Sequence, residues 1–267
     1  MILSPIEQSI KRKIEEAGTP LKDWDINIYR GILTGYNEAF IIDGKKKDEL
    51  IAEDPKSAEI IRPLLRGRDI KRYSYEFADL YIITTFPSLK IDIELFPAIK
   101  QHLLSFGYDR LKQTGDVGAR KKTNNQWFET QDSISYWDDF SKPKIIWKRV
   151  GSILKFCYDE NGTMALDSTC FATGIYMKFL VCFMNSSIGN YLLLDSPKTG
   201  TGDLLISVQA VEPIVVPLPS NENLQLTNAL FELALKEDNV NSKINNIFYN
   251  IFEFTEEEIQ FIEEQIN

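Results

Sequence analysis

With 267 residues, of which 43% are hydrophobic and 12% aromatic, the chain can bury a core as one large domain, or as one domain plus a smaller helical unit. Three cysteines without a CxxC pair (Cys157, Cys170, Cys182) and a single histidine, His102, argue against a metal-ligand set; they read as reduced, mostly buried thiols of a cytoplasmic protein, with His102 half-buried or on a helix surface. A formal net charge of −9 argues at first against a polyanionic partner.

The distribution of that charge changes the argument. From Ser220 to Asn267 there are two cations, Lys236 and Lys243, against ten anions, a balance of −8 that holds nearly all of the excess. From Lys56 to Arg72 there are six cations (Lys56, Arg62, Arg66, Arg68, Lys71, Arg72) against Glu59 and Asp69, a balance of +4. Salt confines the influence of a charge to roughly 10 Å, so an acidic terminus does not stop a basic middle from meeting phosphate. No membrane partner is expected, because the longest apolar run in the 179–194 region, Phe179 to Met184, falls far short of a bilayer span.

In chain order, Ser4-Pro5-Ile6-Glu7 has the spacing of a capping box, and Ile6, Ile10 and Ile14 then share one helical face until Gly18 and Pro20 end it. Residues 1–23 thus read as a connector helix. Asp25–Tyr29 and Ile32–Ile42 read as strands, with Gly31 and Gly35 marking a close backbone approach or a positive φ. Asp43-Gly44 with Lys45, Lys46 and Lys47 reads as a turn, and Asp54-Pro55 as the start of a helix carrying Ile60, Ile61 and Leu64. Pro63 cuts that helix short and leaves Arg66-Gly67-Arg68 in an exposed loop before a strand at Leu80–Thr84.

Residues 97–112 read as a helix. A polar stretch follows, in which Arg120, Lys121 and Lys122 precede Thr123, Asn124, Asn125, Gln126 and then Trp127. Arginine and lysine can read guanine edges, and asparagine and glutamine can bond adenine bidentately; the alternative is a solvated loop that ends on a core tryptophan. Lys144–Val150 and Ser152–Tyr158 read as strands, with Asp159-Glu160-Asn161-Gly162 as a hairpin turn after them. Lys148 and Arg149 should point to opposite sides, so that at most one of them faces a ligand. Phe179–Leu194 reads as one buried helix. Asp195–Asp203 reads as a small-residue loop with Lys198, in which Gly200 and Gly202 could let backbone N–H groups approach a phosphate. Ile214–Leu218 reads as a strand, and 222–267 as three helices or two and a fragment, the last capped by Thr255 through Glu258, with its acids as a solvated, dipole-matched face. The sum is an α+β fold of mixed, mainly antiparallel sheets, peripheral helices and a C-terminal helical segment.

Several of these blocks together resemble a known family. GILTGYNEAFIID followed by LLRGRDIKRY, FSKPKIIWKRV at 140–150, FLVCFMNSSIGNYLL at 179–193, IVVPLP at 214–219 and the tail at 245–266 are similar, in order, to the TaqI-like target-recognition domain. That module lies C-terminal to the methyltransferase core of adenine-specific DNA methyltransferases and of fused restriction–modification enzymes. The resemblance implies a DNA target-recognition domain over 24–219, an acidic helical segment over 220–267, and Trp147 as a packing residue of a core strand. It also implies an upstream core, so that Met1 is expected to be a boundary inside a longer protein, and double-stranded DNA and the methyltransferase or nuclease domains of the same polypeptide as partners. S-adenosylmethionine, and magnesium if the parent also cleaves, are expected in that core and not in this chain.

The residues agree that this chain by itself should bind rather than catalyse. There is no glycine-rich cofactor loop and no Asn-Pro-Pro-Tyr tetrapeptide; Asn37-Glu38-Ala39-Phe40 lacks both prolines. No spaced acidic pair with a lysine suggests a metal-dependent nuclease, and one histidine leaves little room for a triad. Arg66, Arg68, Lys71, Arg72, Lys121, Lys122 and Lys198 are the candidates to hold phosphates, and Arg120, Asn124, Asn125 and Gln126 to read base edges. The rival readings are a protein–protein adaptor whose acidic tail docks a partner, and a nuclease with a degenerate site.

Overall fold

The computed structural model describes residues 3–266; Met1 lies outside them. Two four-stranded sheets form the frame. The central sheet runs Ile26–Arg30, Thr169–Gly174, Lys144–Lys148, Phe156–Asp159, with every neighbour antiparallel. The second runs Ile41–Asp43, Leu80–Ile83, Ile61–Leu65, Met164–Ala165, antiparallel except for the last pair. Two short ribbons join Gly18–Pro20 to Val215–Pro217 and Val150–Gly151 to Leu204–Leu205. The α+β expectation is met.

The two-residue period of a strand explains the layering. In the central sheet Ile145, Trp147, Phe156, Cys170 and Ala172 turn to one side, into a core shared with Ile10, Ile14, Phe179, Phe183, Phe248 and Ile262. Their neighbours Ile146, Cys157 and Phe171 turn to the other side and meet Leu64, Leu65 and Ile82 of the second sheet. In that sheet Ile42, Ile61 and Ile83 face away again, onto Leu50, Ile99 and Leu103. The order is therefore helices, central sheet, second sheet, helices. Each fully buried aliphatic or aromatic side chain is worth roughly 1.5–3 kcal/mol. All three cysteines are buried, and half-buried His102 places Nε2 3.0 Å from the Ala39 carbonyl oxygen.

Several local expectations change. The stretch 32–42 is not one strand. At Gly35 (φ 80°) the chain turns, the Thr34 hydroxyl accepts from the Tyr36 N–H, and Asn37–Phe40 makes one helical turn before Ile41–Asp43 joins the other sheet. Gly31 is needed for closeness: a Cβ there would lie 2.1 Å from the Leu166 carbonyl oxygen. Asp43 is a helix cap rather than part of a turn, its carboxylate accepting from the Lys46 N–H of helix Gly44–Glu53. After Asp54 there is only one 3₁₀ turn, Pro55–Glu59, because β-branched Ile60 and Ile61 and then Pro63 favour the extended strand. The 97–112 helix breaks at Gly107 (φ 90°) into Pro97–Leu104 and Tyr108–Leu111. The 179–194 helix breaks at Ser186, which caps Ser187–Leu193 by accepting from the Gly189 N–H. The 152–158 strand begins only at Phe156. The 159–162 turn joins strands of different sheets, and its Asp159 is buried, 2.5 Å from the Lys144 Nζ and accepting from Tyr75 and Thr163.

The acidic tail packs on this chain. Helices Asn221–Ala234, Asn241–Ile251 and Glu256–Ile266 cover one face of the central sheet together with Met177–Asn185. Helix Pro5–Ala17 carries the expected capping box and joins the same core. Glu258 is a correction to the picture of a solvated acidic face: it is 4% exposed, caps Thr255, and accepts from Ser9 Oγ and Lys13 Nζ, both at 2.7 Å. Burial raises this carboxyl, and the bonds from Lys13, Ser9 and the Thr255 N–H outweigh burial, bringing it down to about 2. A lowered carboxylate contributes stability that is present above its ordinary value near 4.5 and is lost as pH falls toward 2. Chemical denaturation across that window should show the midpoint falling with pH, and Lys13→Ala should flatten the fall.

Candidate nucleic-acid interface

Both faces of the central sheet are covered, so its ends are what it offers. At one end the register sets Arg30 opposite Cys170, Lys148 opposite Thr169, and Trp147 opposite Phe156. Three connecting segments meet there. The 3₁₀ turn Gly67–Asp69 is tied in by the Gly67 N–H, which donates to Ser168 Oγ at 3.0 Å. The Arg149 N–H donates to the Ser168 carbonyl at 2.9 Å, and the Ile206 N–H to the Arg149 carbonyl at 2.7 Å. The fully buried Trp147 donates its indole N–H to the Ile206 carbonyl at 2.9 Å, as a packing residue should. Among the described residues, no three His, Cys, Asp or Glu side chains come together as a metal-binding group. Clefts of 480 and 600 Å³, one beside helix Pro5–Ala17 and one between the helices at 221–234 and 241–251, are lined by none of the expected residues.

The expected residues divide. Arg68, Arg72, Lys121, Lys122, Asn124, Gln126 and Lys198 are exposed. Arg66 is half-buried and bidentate on Asp69, at 3.0 and 2.8 Å, so its fork shapes the turn that presents Arg68. Lys71 pairs with Glu76 at 3.2 Å. Lys198 sits on the hairpin that docks through Leu204 against Gly151. Lys121 belongs to an electrostatic group around Asp132, which also feels Arg30 and Asp167; burial raises the Asp132 carboxyl, against the Leu33 N–H and these two cations. The structure thus brings Arg68, Lys121 and Lys198 to segments meeting at one sheet end. Lys71 and Arg72 follow a turn later, where Tyr73 pairs with the edge of strand Phe156–Asp159. Sequence reasoning did not single out Arg30, and for Lys148 and Arg149 it gave the alternation of sides, with at most one of them facing a ligand.

Arg120 is a correction. It is 2% exposed, and its guanidinium donates to four main-chain carbonyls: Leu111 at 2.7 Å, Thr34 at 3.0 Å, Glu129 at 2.8 Å and Trp127 at 2.7 Å. Burial pushes it down to about 10. A group held in this way cannot read a base. Asn125 is likewise turned inward, its amide donating to the Thr130 and Gln131 carbonyls. Both side chains hold a loop whose two limbs pair through Arg120 N–H to Lys112 O, Gly115 N–H to Arg120 O and Thr123 N–H to Gln113 O. Gly115 (φ 78°) and Gly118 (φ 83°) turn its tip. Of the residues from Arg120 to Gln126, this stiffened loop leaves Lys121, Lys122, Asn124 and Gln126 exposed. No local feature of the Arg-Lys-Lys run distinguishes its first member from the other two.

A family model described as "TaqI-like C-terminal specificity domain" matches residues 62–202. No curated protein matches the chain. Among solved structures, the type IIL restriction-modification enzyme MmeI, in complex with DNA, is similar with a TM-score of 0.62 and 11% identity over 93% of this chain. The type IIG restriction endonuclease BpuSI is similar with a TM-score of 0.58 and 14% identity over 98% of this chain. The chain spans 36% and 32% of the lengths of those two proteins. At such identities the likeness is one of fold.

The matched span contains the loop that Arg120 braces, and the brace can be tested without a ligand. Removing a guanidinium leaves buried acceptors unsatisfied at roughly 1–3 kcal/mol each. Arg120→Ala should therefore lower unfolding free energy in urea by about 3 kcal/mol or more, and Arg120→Lys, with one point charge for a fork, should recover only part of it.

Proposed function

The chain belongs to the family of TaqI-like C-terminal specificity domains, and from that we propose that it is a sequence-specific DNA recognition module of a restriction–modification enzyme. In this reading duplex DNA lies against the end of the central sheet where Arg30, Arg68, Lys148, Arg149 and the 112–128 and 195–206 loops converge. Cations there hold phosphates and fix register, and side chains on the braced loop read base edges. The observation that carries the reading is this convergence of cationic loops from five separate stretches of an acidic chain, with the acids of the tail gathered on helices that cover a sheet face.

The division of labour follows from the side chains. Arg68, Lys121 and Lys198 serve register; Asn124 and Gln126, exposed beside Lys122, serve readout, since amides can bond adenine bidentately. The chain itself binds and does not catalyse. It positions a target adenine for a methyltransferase core, with or without nuclease activity, to which the segments 24–219 and 220–267 are joined through the first helix. S-adenosylmethionine would be held by that core, and the flipped adenine would enter it.

Fluorescence anisotropy with duplex DNA across salt tests the reading. A phosphate-bound complex weakens with a slope near −0.9 per neutralised phosphate. The double variant Arg68→Ala, Lys121→Ala should bind all duplexes more weakly and with a shallower slope, while Asn124→Ala with Gln126→Ala should narrow the gap between target and random duplex by roughly 1–3 kcal/mol per bidentate contact. A wild-type chain with no duplex affinity at any salt would sink the proposal and favour the adaptor.

A further inference from the structure

Among the described residues the two most exposed large apolar side chains are Val117, which lies wholly in solvent, and Ile153, which is 70% exposed. Both stand on loops, and they differ in their surroundings. Val117 follows Asp116, which the Thr114 hydroxyl and Lys112 engage at the tip. Ile153 has no acid near it in the chain: from Lys144 to Tyr158 the charged residues are Lys144, Lys148, Arg149 and Lys155. It lies on the connection from Lys144–Lys148 to Phe156–Asp159, which crosses the end of the central sheet where Trp147 stands opposite Phe156. That connection has little slack. Val150 and Gly151 pair with Leu205 and Leu204, and Leu154 returns to the core. Between these anchors only Ser152 and Ile153 project, both exposed. A β-branched side chain is stiff at χ1, so the tip is ordered before a ligand arrives and loses less entropy on binding. The Lys148 head belongs to the same place. A Cβ on Gly151 would lie 3.6 Å from the Lys148 Nζ and 3.8 Å from the Ile153 carbonyl oxygen, so the ammonium rests against the turn that carries Ile153. Lys148 is exposed and makes no ion pair among the described residues. The acid on the facing segment, Asp203, accepts from the Thr201 hydroxyl at 3.3 Å.

We propose that Ile153 is an apolar wedge that parts one base step of the bound duplex, with the Lys148 ammonium on a phosphate beside that step. The inference rests on the DNA-binding reading above and deepens it. Side chains of this kind, isoleucine among them, enter between base steps and kink a duplex, and the cost of unstacking is offset by the larger surface that bent DNA meets. A neighbouring cation holds the displaced backbone in place. A parted step is also one from which a base leaves the stack more cheaply.

A wedge can be tested before the target sequence is known. Fluorescence anisotropy at one salt concentration compares a random-sequence duplex with the same duplex carrying one central abasic site. The wild-type chain should bind the abasic duplex about tenfold more tightly, because part of the stacking that a wedge must break is already absent there. Ile153→Ser should bring that ratio close to one, with an unchanged melting temperature because the side chain is exposed. Lys148→Gln should weaken both duplexes alike, keep the ratio, and make the salt slope shallower by about 0.9, one phosphate's worth. A wild type that binds both duplexes equally, or an Ile153→Ser chain that keeps the preference, overturns the wedge. So does a preference that Val117→Ser abolishes and Ile153→Ser does not. A wild-type chain with no affinity for either duplex overturns the wedge and the DNA reading together.

Discussion

The constraint on which the rest of the structure depends is that the central sheet is buried on both faces. Helices claim the side of Trp147 and Phe156, and the second sheet claims the side of Ile146 and Phe171. A strand residue at either face is then committed to a core. Only the strand ends and the segments that cross them remain free for polar chemistry, and this is why the cations converge at an end. Loops are where binding residues sit on a rigid frame, and here the frame dictates which loops can cooperate.

The same constraint resolves the charge paradox. An acidic chain repels a polyanion only over distances that salt does not screen, roughly 10 Å. The ten anions from Ser220 onward lie on a segment whose helices use their apolar faces to cover the sheet. Its acids are in part structural: Glu258 locks the last helix to the first through Lys13 and Ser9. Net charge therefore describes the composition of this molecule without describing the surface that a ligand would meet.

Much was legible in the sequence where the determining contacts are local. The capping box at Ser4 and Glu7 and the Thr255–Glu258 cap are spacing rules, and both are present. Gly31 and Gly35 announced a close approach and a positive φ, and each does one of them. Blocks in the right order were enough to point to the family. What was not legible is non-local. Arg120 and Lys121 are neighbours in one basic run, yet one is 2% exposed and the other lies in solvent, because Thr34, Leu111, Trp127 and Glu129 happen to surround the first. Arg30 and Lys148 are more than a hundred residues apart, and only the register through Thr169 and Cys170 brings them to the same end of the sheet. Asp43 looked like a turn residue because an Asp-Gly pair before three lysines serves a turn and a helix cap equally well.

The Arg120 brace also bears on how such a loop can serve recognition. All four of its acceptors are main-chain carbonyls. A carbonyl is present whatever side chain the residue carries, so the brace asks nothing of the side chains at 34, 111, 127 and 129 beyond fit. Asn125 works in the same way, through the carbonyls of Thr130 and Gln131. Position and outward chemistry are thereby separated: the inward residues set the position of the loop, and the outward residues Lys121, Lys122, Asn124 and Gln126 can differ without disturbing it. A loop held stiff before it meets a ligand loses less entropy on binding, and one whose stiffness does not depend on its outward residues can change its outer surface while keeping its place on the frame.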